Sequence, residues 1–197
     1  MQANFKSLSL ASVASGTKIE TPTQSLPEKV SLRSPAIDVM TDLTRVTAVT
    51  IAPNDTMDDA LDRMRKSGVR LLLVLNAEQA VVGLITARDI QGERPVRFMQ
   101  ELGVGRQEVL VRDIMTPRDR LEAMWMHEVQ VAAVGDILET LKMAGRQHAM
   151  VVERTANGDM IRGLFSSVQI GRQLGVQLDQ AGVASTFAEL EAALAHA

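Results

Sequence analysis

The chain of 197 residues has no cysteine. Disulfides and thiolate chemistry are therefore excluded. Aromatic residues make up only 3% of it, so a core must be built from aliphatic side chains, with the 11 methionines filling gaps. No apolar run approaches the roughly 18 residues that span a bilayer. An excess of one charge is missing too: the net charge is −3, with both signs mixed along the chain. That leaves no electrostatic footprint for nucleic acid and no polybasic patch for a membrane surface. His127 and His196 have no partners at metal-ligand spacing, so no metal site is expected. A nucleophile–base pair, a phosphate-cradling glycine loop and a metal cluster are all lacking, and an enzyme is not expected. The N-terminal run Leu8–Ala14 is short and broken by serines, which argues against a signal peptide. The default location is the cytoplasm.

What the chain does have is a repeat. Gly68 opens an apolar block, Val69–Leu75, which turns at Asn76–Gln79, climbs again through Ala80–Ile85 and ends in Thr86-Ala87-Arg88-Asp89. Two apolar runs around a polar tetrad read as a buried hairpin. Thr86 then reads as a helix N-cap. The same arrangement returns from Gly145, with Gly68 and Val74 matching Gly145 and Val151 at an offset of 77, and Gly83 and Thr86 matching Gly163 and Ser166 at an offset of 80. The three extra residues fall in the turn Arg154–Asp159, where insertion costs little.

Taken in order, residues 1–33 read as a flexible tail. Ser34–Thr41 carries a short helical pattern and Arg45–Ile51 alternates like a strand. Asp55 or Thr56 caps a helix whose Met57, Ala60, Leu61 and Met64 recur at helical spacing and which Gly68 ends. Residues 92–110 read as a linker with room for a short helix around Val96–Leu102. Val111–Pro117 echoes Ile37–Thr41 and opens the second unit. There Val129–Ala132 is the expected strand, and Val134, Ile137, Leu138 and Leu141 form the buried face of the helix. Strands at His148–Val152 and Met160–Phe165 and a helix at Ser167–Leu174 complete it. In the tail, 177–197, Thr186 and Glu189 make a capping box, and Phe187, Leu190 and Leu194 an apolar stripe on a short helix. The expected fold is α/β (α+β): two β-α-β-β-α units, 34–91 and 111–176.

This duplicated pattern resembles the CBS domain, the cystathionine-β-synthase-type repeat that occurs in tandem as a Bateman module. The matching pieces are Val39-Met40-Thr41, Val49–Pro53, Ala60-Leu61 with Met64, Gly68-Val69-Arg70, Val74-Leu75-Asn76, and Gly83 to Thr86 with Asp89-Ile90. They span about 34–176. Leu73 and Asn76 depart from the usual Pro and Asp. No catalytic or DNA-binding domain accompanies the pair, so the chain looks like a stand-alone CBS protein. The resemblance implies two repeats face to face about a pseudo-twofold axis, an adenosine compound in the cleft between them, and a homodimer formed through helices.

A flat adenine suits aliphatic walls and a backbone edge. Val49 and Thr50 from the first unit, Val129 and Gln130 from the second, and Val69 are the candidates. Thr86 and Asp89, one helical turn apart, place a hydroxyl and a carboxylate where a ribose diol could bind. Arg88 and Arg70 are the candidate phosphate partners. Each has a plainer reading beside this one: Thr86-x-x-Asp89 as a helix cap, the arginines as solvated charges. In the second copy Ser166 stands for the Thr, Gln169 for the Asp and Gln147 for Arg70, so a second, weaker cleft is expected there. His148, at the start of a buried strand, reads as a hydrogen-bonded structural residue, with a phosphate contact as the alternative. Trp125 reads as a packing or interface anchor. The function so implied is a regulatory module that requires no cofactor and senses AMP, ADP, ATP or, less readily, S-adenosylmethionine. It signals to an unidentified protein partner. A ligand-free adaptor for protein assembly is the alternative.

Overall fold

The computed structural model describes residues 8–19 and 21–176. The helix expected near Thr186 lies outside them. A 3-10 turn at Ala36–Val39 precedes β1 (Thr41–Asp42) and β2 (Thr50–Ile51). Then come α1 (Met57–Ser67), β3 (Leu71–Leu75), β4 (Val81–Thr86), α2 (Ala87–Gln91) and α3 (Glu93–Leu102). The second half runs α4 (Val111–Ile114), β5 (Thr116–Pro117), β6 (Ala123–Trp125), α5 (Met126–Val129), α6 (Val134–Met143), β7 (His148–Thr155), β8 (Gly158–Ser166) and α7 (Ser167–Gln173).

Local chemistry sets these boundaries. Thr56 Oγ accepts from the Asp59 amide while the Asp59 carboxylate accepts from the Thr56 amide, a closed capping box for α1. Gly68, at φ +65°, ends the helix in the left-handed region. β3 is buried on both faces, and its alternation divides it. Leu72 and Val74 join α1 and α2 in one core, whereas Leu71 and Leu73 meet Met150 of β7 in a second core between the sheets. Val151, next to Met150, faces the helices of its own half.

The two sheets have the orders β2-β3-β4-β5 and β1-β8-β7-β6. Each half therefore lends the other an edge strand. Thr41 pairs with Leu164 and Asp42 with Gly163 in one sheet, as Thr116 pairs with Leu84 and Pro117 with Gly83 in the other. Glycine is required at both crossings. A Cβ on Gly83 would lie 2.5 Å from Met115 Sδ and 2.9 Å from the Thr116 carbonyl oxygen; one on Gly163 would lie 2.6 Å from Met40 Sδ and 3.0 Å from the Thr41 carbonyl oxygen. The lent strand β1 is also locked by Asp42, 5% exposed. Its carboxylate accepts from the Thr44 amide at 2.8 Å and the Thr44 hydroxyl at 2.7 Å, and pairs with Arg162 of β8.

Several expectations are corrected. Arg45–Ile51 is a strand only at Thr50–Ile51, because the amides of Arg45 and Val46 both turn back onto the Asp42 carbonyl. Val129–Ala132 is not a strand. Met126 and Val129 are buried three residues apart, a helical spacing, and the Gln130 amide bonds the Met126 carbonyl. The strand is Ala123–Trp125, parallel to β7. In the segment read as a linker, α3 is ten residues long. It begins well before Val96, since Pro95 is tolerated in a first helical turn, and Gly103 ends it at φ +67°. The β7–β8 hairpin pairs out to Thr155 and Gly158. The N-terminal segment is anchored from Gln24. Its carboxamide bridges the free edge of β1, donating to the Met40 carbonyl at 3.0 Å and accepting from the Asp42 amide at 2.8 Å. Gln173 then holds the Pro27 carbonyl and the Val30 amide.

Candidate functional site

The strand exchange leaves a cavity of about 930 Å³ between the halves. Its first wall is the end of β4 with α2 and α3, which bring Thr86, Arg88, Asp89, Arg94 and Arg97 to it. Its floor is the lent strand, Met115 to Pro117. Pro117 is tolerated there because an edge strand leaves its outer amide unused. The opposite wall belongs to the second half, where Arg120 and Leu121 precede β6 and Arg146 to His148 lead into β7. Leu84, Phe98 and Met150 supply apolar surface.

Asp89 is the pivot of the first wall. One carboxylate oxygen accepts from the Thr86 amide at 2.9 Å and the Thr86 hydroxyl at 2.7 Å, while the Thr86 oxygen accepts from the Asp89 amide. The capping reading of Thr86-x-x-Asp89 thus describes the geometry. The other oxygen lies 3.0 Å from Arg94 Nη1, and the Asp89 side chain is 15% exposed. Arg94 also donates to the Ile114 carbonyl at 3.2 Å, so one guanidinium ties α2, α3 and α4 together. His148 faces this wall across the cavity. Burial, reinforced by the charge of Arg70, pushes its pKa down to about 4 against a smaller upward pull from Asp89. It is neutral at physiological pH.

The structure regroups the residues expected at two clefts. Thr86, Arg88 and Asp89 share one cavity with Gln147 and His148, which were expected at the other. Arg70, Val69, Val49, Thr50, Val129, Gln130, Ser166 and Gln169 do not line it. The cause is the pseudo-twofold relation. Arg70 and Gln147 are equivalent, so the axis places them on opposite sides, and a hairpin exit meets the strand start of the other half rather than of its own. Val49 and Val69 pack instead against the first helical core. The Thr50 carbonyl accepts from Arg63 at 2.7 Å. Val129 is 1% exposed and fully committed to packing.

Sequence reasoning missed Arg94, Arg97, Arg120 and Arg146. Arg94, Arg97 and Glu101 recur three and four residues apart within the supposed linker, a helical face that was there to be read. Among the described residues no group of three His, Asp or Glu side chains could hold a metal ion, and no helix is long and apolar enough to cross a membrane.

Residues 36–94 match the family model of the CBS domain. That stretch is similar to a CBS domain. The chain's two halves, built alike and exchanging edge strands, give the fold of a CBS pair. A conserved protein from Pyrococcus horikoshii is similar in structure, with 22% identity and a TM-score of 0.54 over 77% of this chain and 100% of that one. A CBS-domain containing protein from Agrobacterium tumefaciens follows with 18% identity and a TM-score of 0.53 over 72% and 94%. CBSX2, a CBS-pair protein of Arabidopsis thaliana, was solved in complex with AMP. It has 21% identity and a TM-score of 0.51 over 71% of this chain and 94% of its own. At these identities the likeness is one of fold.

Proposed function

We propose that this CBS pair is a non-enzymatic regulatory module that binds an adenosine-containing ligand in the cavity between its halves. AMP, ADP and ATP are the leading ligands, with S-adenosylmethionine less favoured. The observation that carries the reading is the pairing of Asp89 with Arg94 on a wall that faces apolar Leu121 and Met150. The Asp89 carboxylate can accept from a ribose diol, the guanidinium of Arg88 on the same wall can take a phosphate, and aliphatic surface suits a flat base. The AMP complex of CBSX2 supports the same class of ligand. Both halves contribute walls, so a ligand stabilises one arrangement of the halves over others, and a homodimer in the cytoplasm would pass that bias to a partner protein.

The adaptor reading has one observation in its favour: Thr86, Asp89 and Arg94 already satisfy one another. Calorimetric titration with AMP, ADP, ATP and S-adenosylmethionine separates the two. Binding weakened tenfold or more in Asp89→Ala, with the circular dichroism spectrum retained, is the expected outcome. Equal affinity in wild type and variant removes Asp89 from the site. Absence of heat with every ligand, from folded and ligand-free protein, favours the adaptor.

A further inference from the structure

The charges around the cavity constrain how much phosphate it can accept. Five arginines line it, and so do five carboxylates, with no lysine. His148 adds no charge at physiological pH. The walls are therefore neutral in sum, unlike a site that receives a polyphosphate on a surplus of cations. Most of the arginines are already engaged. Arg94 holds Asp89 at 3.0 Å, Arg146 holds Glu122 at 2.8 Å, and Arg97 lies 3.5 Å from Glu93. Among the described residues only Arg88 and Arg120 of the lining have no carboxylate within ion-pair distance. Among the described residues Glu101 has no cation within ion-pair distance, and Asp113 accepts from the Leu110 amide at 2.9 Å and lies 3.9 Å from Arg112.

We infer that the cavity is built for a nucleoside monophosphate and discriminates against di- and triphosphates. A terminal phosphate near neutral pH carries about −1.5 to −2 charge. Two unpaired guanidinium groups match that charge, and each can bind phosphate oxygens in a bidentate way. Each further phosphoryl group must take an arginine from its carboxylate or lie against Glu101 and Asp113. The inference rests on the nucleotide reading of this cavity and adds the number of phosphates.

The test is calorimetry on the full chain, freed of bound ligand, at low ionic strength without divalent cations. Adenosine, AMP, ADP and ATP are titrated in turn. AMP should bind at least tenfold more tightly than ATP, with ADP between them and adenosine weaker than AMP. Arg88→Gln should weaken AMP and leave adenosine unchanged, a split that a merely structural role would not produce. Glu122→Gln removes a carboxylate and frees Arg146, so it should narrow the gap between AMP and ATP severalfold. ATP binding as tightly as AMP, or a gap indifferent to Glu122→Gln, overturns the inference and leaves the nucleotide reading standing. Failure of adenosine and all three nucleotides to bind overturns both.

Discussion

Asp42→Asn isolates the charge that fastens one half of the protein to the other. In the wild type this carboxylate receives two hydrogen bonds from Thr44 and the guanidinium of Arg162, and it is almost fully buried. Asparagine keeps an acceptor for Thr44 but loses the attraction of Arg162. Breaking a buried pair costs about 3–5 kcal/mol when the remaining charge is stranded. Here Arg162 keeps Glu153 at 3.1 Å, and Arg45, 65% exposed, adds little. The expected loss is thus smaller, about 2 kcal/mol, or roughly 4–8 °C in the melting temperature of a chain this size. Its pH dependence is the sharper signature. Burial raises the Asp42 pKa, but hydrogen bonds from Thr44 and the charge of Arg162 outweigh it and hold the group below its ordinary 3.8. A depressed carboxylate contributes stability that is complete above the unfolded-state value and lost as pH falls through the lower folded value. Urea denaturation of both proteins should show the full deficit at pH 7 and its progressive loss as pH falls below 3.8 and through the lower folded value. Equal midpoints at pH 7, or a deficit that persists unchanged at the acid end, would refute the reasoning.

Other expectations rest on separate features. Gly163→Ala and Gly83→Ala each force a lent strand away from its neighbour and should cost about 1–3 kcal/mol in thermal melts, since the clash includes backbone. An alanine accommodated without loss at both positions would contradict the strand approach described. His148, half-buried as a neutral ring, should titrate near pH 4 by NMR. The unfolded chain takes up that proton first, near pH 6.5, so this residue removes stability as pH falls from 6.5 toward 4. A midpoint at 6.5 in the folded protein would show an open, solvated ring. Gln24→Ala removes both contacts with the edge of β1 and should hasten limited proteolysis between residues 18 and 33. Unchanged cleavage would mean that the Gln173 contacts alone hold the segment.

Much of the architecture could be read from residues in sequence. The duplicated hairpin, the helices after Thr56 and Ala133 and the glycine ends at Gly68 and Gly145 are local features, and local rules placed them. Errors arose where a tertiary contact decided the outcome. Arg45 and Val46 turn back onto the Asp42 carbonyl where β1 joins the sheet of the other half, and Arg162, far along the chain, holds the Asp42 carboxylate. Val129 carries strand propensity, yet it finds its burial beside Met126 as a helical pair. At the site, residue types were legible and their grouping was not. Thr86 and Asp89 announce a helix start, but nothing near them in sequence says that Gln147 and His148 stand opposite. That partnership follows from the axis between the halves, which periodicity does not encode.

The exchange of edge strands also bears on how such a chain could arise. A single half would carry one bare sheet edge and one strand with no sheet of its own. Two identical halves would cure both defects by trading those strands, as a symmetric dimer does. Joining them end to end turns an encounter between molecules into one within a molecule. It also frees each copy to drift on its own. The joining segment holds α3, whose Arg94 and Arg97 line the cavity, while the segment ahead of the first half puts Gln24 on the edge of β1. The pseudo-equivalent edge, at Met115 and Pro117, stayed open to the cavity. The tether thus serves the two sides of the axis unequally, a distinction that a symmetric dimer of identical halves could not draw.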